Sequence, residues 1–537
     1  MTDLQKILKA THPLTLAGVP QGFLPWLLAD LARGAKGRAV YIAPDDSAMQ
    51  AVADTAAYFA PELEIIRIPA WDCLPYDRSS PSLRSMSERL AGLHALQEKM
   101  SSPQLVVTTV NAITQRTLTP FRIRQLVARL APGESIPIEK LAELLQSNGY
   151  VRVETVADAG EFAVRGGIVD LFPSGEEKGL RLDFFGDEIE SVRQFDPADQ
   201  RTIGRVDGFI LLPASEALLD ADNIKRFRSR YRETFGATAT GDPLYQAISD
   251  SRRLAGMEHW LPLFEEKLST LFEHLGEDVL YVRDSGVSSA ALARFEAVQD
   301  YHANRKQAAS SDPGSYRPLE PEQLYFSSEE WSGRIDKHAV HLAIPFHEPE
   351  SEQVVDFGVD NARDFAPERA QNANVYEAVG KHIASLQRAD KKVVIASYSV
   401  GARERLSGLL ADHGVKRLAK AEDWQEALGI AAGGAAALSV LPLDHGFTAP
   451  DVAVLTEQDM LGDRLVRRQK RKKSADAFLA ELATLTPGDL VVHVDHGIGR
   501  YEGLTSIPVG NSPHDCVALE YASGDKLYVP VENIDVL

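Results

Sequence analysis

The 537-residue sequence has few cysteines, no long apolar run and no excess of positive charge. Its cysteines, Cys73 and Cys516, lie far apart, and neither belongs to a paired metal-binding or redox motif. No apolar run approaches the roughly 18 residues that a membrane-spanning helix needs, and the first residues lack the apolar stretch of a signal peptide. We therefore expect reduced, structural cysteines, no membrane partner and a cytoplasmic location.

The net charge of −20 at pH 7 disfavours nonspecific coating of nucleic acid, because the phosphates would repel the chain as a whole. Hydrophobic residues make up 44% of the chain and charged residues 25%, which is typical of globular proteins. The chain is also too long for one hydrophobic core. We therefore expect several domains, with any DNA contact confined to a local basic patch.

Residues 16–31 resemble the start of a nucleotide-binding fold but lack a complete phosphate-binding loop. The segment LAGVPQGFLPWLLADL, residues 16–31, leads through Gly18 and Gly22 into an amphipathic helix. A phosphate loop needs Gly-x-x-x-x-Gly-Lys-Ser/Thr, because the lysine neutralises the phosphates and the hydroxyl holds magnesium. Here phenylalanine, leucine and proline follow Gly22. We expect no bound nucleotide, no other cofactor, no metal and no catalytic residues.

The pattern of strands and helices changes along the chain. Strands predicted at 38–44, 64–70 and 105–110 alternate with helices, which indicates a parallel sheet with right-handed crossovers. Residues 121–213 combine a helix at 137–148 with closely spaced strands. A mostly helical stretch follows to about 335, with a polar loop at 303–318. Alternation returns at 340–460, before a basic connector at 461–483 and a β-rich end at 484–537.

Residues 161–165 and 180–185 alternate as a strand pair that has one core face. The predicted core face holds Phe162, Val164, Leu180, Leu182 and Phe184. The opposite face carries Arg165, Arg181, Asp183 and Phe185. Phenylalanine and arginine are both enriched at the centres of interfaces, so this face predicts a protein-binding patch. The alternative is a second small core under a neighbouring helix, such as the one at 137–148.

The last domain consists of short, strongly bent strands, which suit a small barrel. In its first strand Leu490 and Val492 alternate with Val491 and His493. One pair therefore covers the core, and the other is free to meet a partner. The histidines and aspartate of residues 493–496 are divided between a strand and a turn, with no further ligand nearby, so we expect no metal there.

A basic run, RLVRRQKRKK at residues 464–473, precedes this domain. Its cations are Arg464, Arg467, Arg468, Lys470, Arg471, Lys472 and Lys473. Such a run can contact double-stranded DNA phosphates, here through Arg467, Arg468, Lys470 and Arg471. The alternative, which we favour, is a solvated linker helix that pairs with acidic surfaces of its own chain.

Two segments closely resemble the nucleotide excision repair protein UvrB. They are PAWDCLPYDRSSPSLRSMSERLAGL (69–93) and GEFAVRGGIVDLFPSGEEKGLRLDFFGDEIESVRQFDPADQRT (160–202). Together with the last domain, they resemble the N-terminal half of bacterial transcription-repair coupling factors. The resemblance implies a multi-domain α/β fold. Its parts are a degenerate RecA-like, UvrB-like module (1–120 and 214–335), an inserted α+β domain (121–213), an α/β spacer (340–460), the linker 461–483 and a Tudor- or SH3-like barrel (484–537).

The same resemblance implies an adaptor in transcription-coupled nucleotide excision repair. UvrA is expected to bind Arg165, Arg181, Asp183 and Phe185. The β subunit of RNA polymerase is expected to bind a strand edge formed by Leu490, Val491, Val492 and His493. The family's ATP-driven motor lies further C-terminal, so we expect a fragment without catalysis. The alternative, a UvrB-type ATP-dependent DNA helicase or repair ATPase, requires the missing lysine.

Overall fold

The computed structural model describes residues 3–35, 37–236, 242–311, 316–371, 373–462, 488–493, 497–509, 512–521 and 525–530. The chain divides into two compact units, Met1–Gly462 and Asp463–Leu537. The first unit contains both parallel and antiparallel sheets, and the second contains an antiparallel sheet. No helix within the described ranges is long and apolar enough to cross a membrane.

The first sheet is seven-stranded and parallel throughout, in the order β15-β1-β14-β13-β2-β4-β3. Its strands are β1 (Thr15–Ala17), β2 (Arg38–Ala43), β3 (Glu64–Ile68), β4 (Gln104–Thr109), β13 (Val279–Asp284), β14 (His341–Ala343) and β15 (Val354–Asp356). Every residue of β4 is buried, as expected for a parallel strand with helices on both faces. The predicted parallel sheet is confirmed.

Helices cover both faces of this sheet. They are Asp3–Leu8, Leu24–Gly34, Asp46–Phe59, Leu83–Ala95, Val110–Ile113 and Pro120–Gln125. Tyr41 of β2 packs in the core that contains Leu24–Gly34 and Asp46–Phe59, whereas Val40 and Ile42 pack in the core that contains Leu83–Ala95. Successive residues of β2 thus serve two separate cores, because side chains alternate along a strand.

Residues 221–337 are mostly helical. Their helices are Ala221–Phe235, Pro243–Ser249, Leu261–Phe264, Leu271–Leu275, Val287–Ser311 and Ser328–Lys337, with 3-10 turns at Met257–Trp260 and Pro321–Gln323. The prediction of a loop at 303–318 is wrong for residues 303–311, because these residues belong to helix Val287–Ser311. His302 is buried on that helix and Arg305 donates to the Tyr76 carbonyl at 2.9 Å, whereas Asn304, Lys306 and Gln307 lie on its exposed face.

The second sheet is six-stranded, in the order β11-β10-β9-β8-β7-β6, and antiparallel except between β6 and β7. Its strands are β6 (Val151–Arg152), β7 (Glu161–Arg165), β8 (Ile168–Leu171), β9 (Gly179–Phe185), β10 (Glu188–Phe195) and β11 (Thr202–Val206). Helix Ile138–Ser147 packs on one face through Leu141 and Leu145. A short pair, β5 (Ala128–Leu130) with β12 (Phe209–Leu211), adjoins that core.

The third sheet lies within residues 360–456 and has the order β16-β20-β21-β17-β19-β18. Its strands are β16 (Asp360–Asn361), β17 (Lys392–Ser397), β18 (Leu418–Ala421), β19 (Ala436–Val440), β20 (Phe447–Thr448) and β21 (Val452–Thr456). The helices of this region are Ala366–Ala370, Val375–Arg388, Val400–Asp412, Trp424–Ala432 and Glu457–Leu461. The alternation predicted for 340–460 is confirmed, because β21, β17, β19 and β18 are parallel neighbours.

The second unit contains a four-stranded antiparallel sheet whose strands follow chain order. They are β22 (Leu490–His493), β23 (Gly497–Val509), β24 (Ser512–Glu520) and β25 (Lys526–Pro530). The buried cluster of this sheet consists of Tyr501, Val517, Leu519 and Val529. Gly499 faces it, and a Cβ there would lie 3.2 Å from the Cβ of Leu519, so glycine lets β23 pass close to β24.

Candidate protein-binding surfaces

The loop that resembles a phosphate site is filled by the chain's own side chains. Gly18, with φ +61°, follows β1, and a Cβ there would lie 2.7 Å from Oδ1 of Asp356 and 2.9 Å from Nδ1 of His347. A Cβ at Gly22 would lie 2.1 Å from the carbonyl oxygen of His445. A carboxylate thus occupies the space beside the loop, so these residues do not fit a triphosphate.

Asp356 is held as an anion in this position. The N–H groups of Gly358 and Glu348 donate to its carboxylate at 2.8 and 2.9 Å, and Nδ1 of His347 lies 3.0 Å from Oδ1. Burial opposes ionisation, but the hydrogen bonds outweigh it and hold the pKa of Asp356 below its usual value. The space beside Gly18 is therefore held by a carboxylate–imidazole pair of the chain itself and is not available to a phosphate.

The β6–β11 sheet brings the four residues assigned to UvrA binding onto one face. Phe162, Leu180 and Leu182 of the predicted core face are buried, and Val164 and Phe184 are partly buried against the same core. That half of the alternation is confirmed. The opposite face presents Arg165, Arg181, Asp183 and Phe185. We call this opposite face the arginine face.

A buried carboxylate, Asp170 on β8, organises the arginine face. Arg181 lies opposite it and donates to both of its oxygens, at 2.7 and 3.0 Å. Arg165 donates to the same carboxylate. The hydrogen bond to Asp170 raises the pKa of Arg181, whose guanidinium also lies 5.1 Å from the ring centre of Phe195. Both arginines assigned to partner carboxylates thus pair within their own chain.

Asp183 has its own set of donors. Arg193 donates to it through Nε and Nη2, at 2.8 and 2.6 Å, and Ser191 donates through its hydroxyl at 2.6 Å. Burial acts to raise the pKa of Asp183, but the hydrogen bonds from Arg193 and Ser191 outweigh it and lower that pKa. Sequence reasoning missed Asp170, Ser191 and Arg193, although alternation along β8 places Asp170 on the arginine face.

Phe185 is the most exposed aromatic side chain on this face, at 81%. It ends β9 at a hairpin, where Gly186, with φ +63°, makes the turn into β10. The exposed ring gains nothing from water and is available for contact with another protein. The alternative, a second small core, holds for part of this face: Val156, Ala163 and Phe195 form a buried cluster there, and the Phe195 ring lies beside Arg181. Helix Ile138–Ser147 does not cover that cluster, because it packs on the opposite face of the sheet.

In the second unit, β22 is an edge strand that pairs only with β23 among the described strands. Leu490 and Val492 are 69% and 61% exposed, whereas Val491 packs against the core. Val492 pairs with Ile498, which is 63% exposed and was missed from sequence. These three exposed side chains form an apolar patch beside a strand edge that no other described strand covers. His493 lies in β22, and its side chain is outside the described part of the chain.

The remaining predicted contact residues, Arg467, Arg468, Lys470 and Arg471, lie outside the described residues, as does the rest of the basic run. The turn at 494–496 is outside them as well. Among the residues that are described, no group of three or more histidine, cysteine, aspartate or glutamate side chains is arranged to hold a metal ion.

Three family models match separate parts of the chain. The UvrB interaction domain matches residues 128–216, which include the arginine face. The MFD D3 domain matches residues 386–460, within the third sheet and its helices. The CarD-like/TRCF RID domain matches residues 485–537, which include β22 to β25.

Curated relatives match nearly the whole chain. A transcription-repair-coupling factor from Escherichia coli K12 is 33% identical over 95% of this chain and 44% of its own length. Those from Haemophilus influenzae and Myxococcus xanthus are each 32% identical, over 88% and 96% of this chain. The chain covers 41% of the length of the Haemophilus influenzae relative and 44% of that of the Myxococcus xanthus relative. It thus spans less than half the length of these relatives.

Proposed function

This chain belongs to the transcription-repair-coupling factor family, and on that premise we propose that it acts as a two-ended adaptor in nucleotide excision repair. The arginine face recruits UvrA, and the apolar patch of β22 and β23 docks on the β subunit of RNA polymerase stalled at a DNA lesion. One chain that holds both proteins raises their effective concentration near each other, which suffices to couple them without catalysis.

The observation that carries the UvrA half of the proposal is the exposure of Phe185, at 81%, on a sheet face whose charges are internally paired. We assign Phe185 as the anchor that enters an apolar pocket. Arg165 keeps half of its side chain exposed, at 51%, so it can reach a partner carboxylate while it contacts Asp170. Arg181 and Asp183 hold the face in shape, because their charges are satisfied within the chain.

For RNA polymerase we propose that an extended segment of the β subunit pairs with the free edge of β22. Main-chain hydrogen bonds supply affinity in such strand addition, and neighbouring side chains supply specificity. Leu490, Val492 and Ile498 provide an apolar surface beside that edge. An exposed, apolar edge strand favours aggregation unless a partner covers it, which supports a docking role.

We propose the following architecture for this function. Residues 1–120 and 214–335 form a degenerate RecA-like module, supported by the parallel pairing of β13, from the second segment, with β2, from the first. Residues 121–213 are the inserted UvrA-binding domain, and 340–460 are a spacer. Residues 484–537 form a Tudor- or SH3-like barrel, and the basic linker 461–483 pairs with acidic surfaces of the chain or with DNA.

We also propose that this chain hydrolyses no ATP. Its loop lacks the phosphate-binding lysine, and the carboxylate of Asp356 lies beside Gly18. The rival function, a UvrB-type ATP-dependent helicase, is therefore not favoured. A titration of the purified chain with ATP, followed by fluorescence and by phosphate release, should show neither binding nor turnover. Turnover that is lost on changes near Gly22 would restore the rival.

Binding of the whole chain to each partner tests the adaptor. We expect Phe185→Ala to weaken binding to UvrA and leave RNA polymerase binding unchanged, and Val492→Glu to do the reverse. Phe121 and Val400, which are 63% and 58% exposed, supply matched controls as Phe121→Ala and Val400→Glu. The adaptor proposal fails if the wild-type chain does not bind both partners, or if the controls weaken binding as much as the test variants.

A further inference from the structure

A row of arginines crosses three neighbouring strands of the arginine face. The register places Arg193 of β10 directly opposite Arg181 of β9 on one side and Arg205 of β11 on the other. Because neighbouring strands lie about 4.8 Å apart, three guanidinium groups extend from adjacent positions of one face. Like charges that lie directly opposite each other on a sheet destabilise it, so the row needs compensation.

Two of the three arginines have that compensation. Asp170 accepts two hydrogen bonds from Arg181, and Asp183 accepts two from Arg193. Arg205 is exposed, and among the described residues it has no ion-pair or hydrogen-bond partner. The end of the row is therefore a cation that faces another arginine and has no counter-ion within the described part of the chain.

Strand β11 has further features of a contact surface. It is the edge of its sheet, with no strand on its outer side in the described part of the chain. Four of its five residues are exposed. Ile203, two positions before Arg205 on the same strand, is 57% exposed. The strand therefore presents an apolar side chain and an unpaired cation together, as the contact edge of an interface does.

We propose that Arg205 and strand β11 extend the UvrA-binding surface to the edge of the sheet, where Arg205 pairs with a carboxylate of UvrA. This inference rests on the proposed function, because UvrA is the partner proposed for this face. The surface then runs from the Phe185 hairpin, across the internally paired arginines, to β11. Arg205 supplies the charge that the partner must neutralise, whereas Arg181 and Arg193 are already neutralised.

The competing explanation is that Arg205 only protects the sheet edge. Charged side chains on edge strands discourage pairing with other chains. A purely protective arginine predicts more aggregation when its charge is removed, with no change in affinity for UvrA. A contact residue predicts weaker UvrA binding without loss of stability, since removing the charge opposite Arg193 relieves repulsion.

Charge reversal in the full chain separates these explanations. We expect Arg205→Glu to weaken binding to purified UvrA about tenfold at low salt, mainly through slower association, and the difference to shrink at high salt. Arg205→Ala should give a smaller loss in the same direction. The melting temperature should stay the same or rise in both variants. The matched control is Arg129→Glu, because Arg129 is an exposed strand residue of β5.

The outcomes distinguish this inference from the function on which it rests. Unchanged UvrA affinity for Arg205→Glu, with binding weakened by Phe185→Ala, overturns the role of Arg205 and leaves the adaptor standing. An equal loss for Arg129→Glu overturns it as well, because the effect would then be general electrostatics. Absence of UvrA binding by the wild-type chain overturns the adaptor itself.

Discussion

The two candidate surfaces differ in how they satisfy the groups they expose. The arginine face presents one exposed phenylalanine, Phe185, among charges that Asp170 and Asp183 hold in place. The surface of β22 and β23 presents apolar side chains beside a strand edge to which no other described strand is paired. The first is a preformed shape that suits a partner pocket, whereas the second is an open edge that a partner strand can complete.

This difference has a consequence for mutation. On the arginine face, the ion-paired acids Asp170 and Asp183 support both the stability of the sheet and the positions of the side chains that it exposes. At the second surface, the exposed side chains contribute little to the core, so binding and stability should separate. The following changes test that contrast, from the largest expected effect to the smallest.

Asp170→Asn should have the largest effect. The carboxylate is fully buried and pairs with Arg165 and Arg181, so its loss leaves the largely buried Arg181 without a counter-ion. We expect the free energy of unfolding to fall by about 3 kcal/mol, together with weaker UvrA binding. Urea unfolding of the whole chain measures the first effect. Asp199→Asn, which disrupts an exposed pair 3.8 Å long, should change stability by less than about 1 kcal/mol.

Phe185→Ala should weaken UvrA binding by about 2 kcal/mol, or roughly 30-fold, because it removes the proposed apolar anchor. Stability should change by less than about 0.5 kcal/mol, since the ring is exposed. Isothermal titration calorimetry with UvrA and a thermal melt measure the two quantities. An equal loss of binding in Phe121→Ala, or a large drop in melting temperature, would contradict the assignment of Phe185 as a contact residue.

Val492→Glu should weaken RNA polymerase binding about tenfold, or 1.4 kcal/mol, because a charge on the edge strand opposes docking of an apolar strand. The core beneath β22 is covered by Val491, so the fold should persist. Surface plasmon resonance with the polymerase β subunit measures the affinity. If Val492→Glu binds normally while Val491→Ala unfolds the domain, the docking surface lies elsewhere on the sheet.

Much of the fold was predictable, for identifiable reasons. Strands such as β2, β4 and β17 are continuous apolar runs between amphipathic helices, so their parallel arrangement follows from local pattern. The insertion of β13 between β2 and β14 did not follow, because it joins segments more than 200 residues apart. The helix to Ser311 was missed because its exposed face has the polarity of a loop.

The candidate surfaces, too, could be predicted from local sequence pattern only in part. Alternation alone placed Phe185 opposite the core, and the family resemblance inferred from residues 69–93 and 160–202 is confirmed by the matched relatives. The pairing of Asp170 with Arg181 depends on the register between β8 and β9, which are joined by a seven-residue connection, 172–178. No local pattern sets that register. Ile498 was missed in the same way, since its place beside Val492 depends on strand pairing.

The smallest expected effect concerns pH. Hydrogen bonds from Arg193 and Ser191 hold the folded-state pKa of Asp183 below its ordinary value of 3.8. Ionised Asp183 therefore stabilises the fold above that value, and the contribution is lost as the pH falls through the lower, folded-state pKa. We expect Asp183→Asn to be less stable than wild type near pH 7 and the difference to shrink progressively below about pH 4.

Urea unfolding of both chains at a series of pH values between neutral and acid measures this difference. Asp199→Asn is again the control, because both side chains of its ion pair are exposed and its stability should follow wild type throughout the series. A constant difference between Asp183→Asn and wild type down to the lowest pH would mean that packing, not the charge of Asp183, joins β9 to β10. Asp170 would then be the one acid of the pair whose charge distinguishes the arginine face from the surface of β22 and β23.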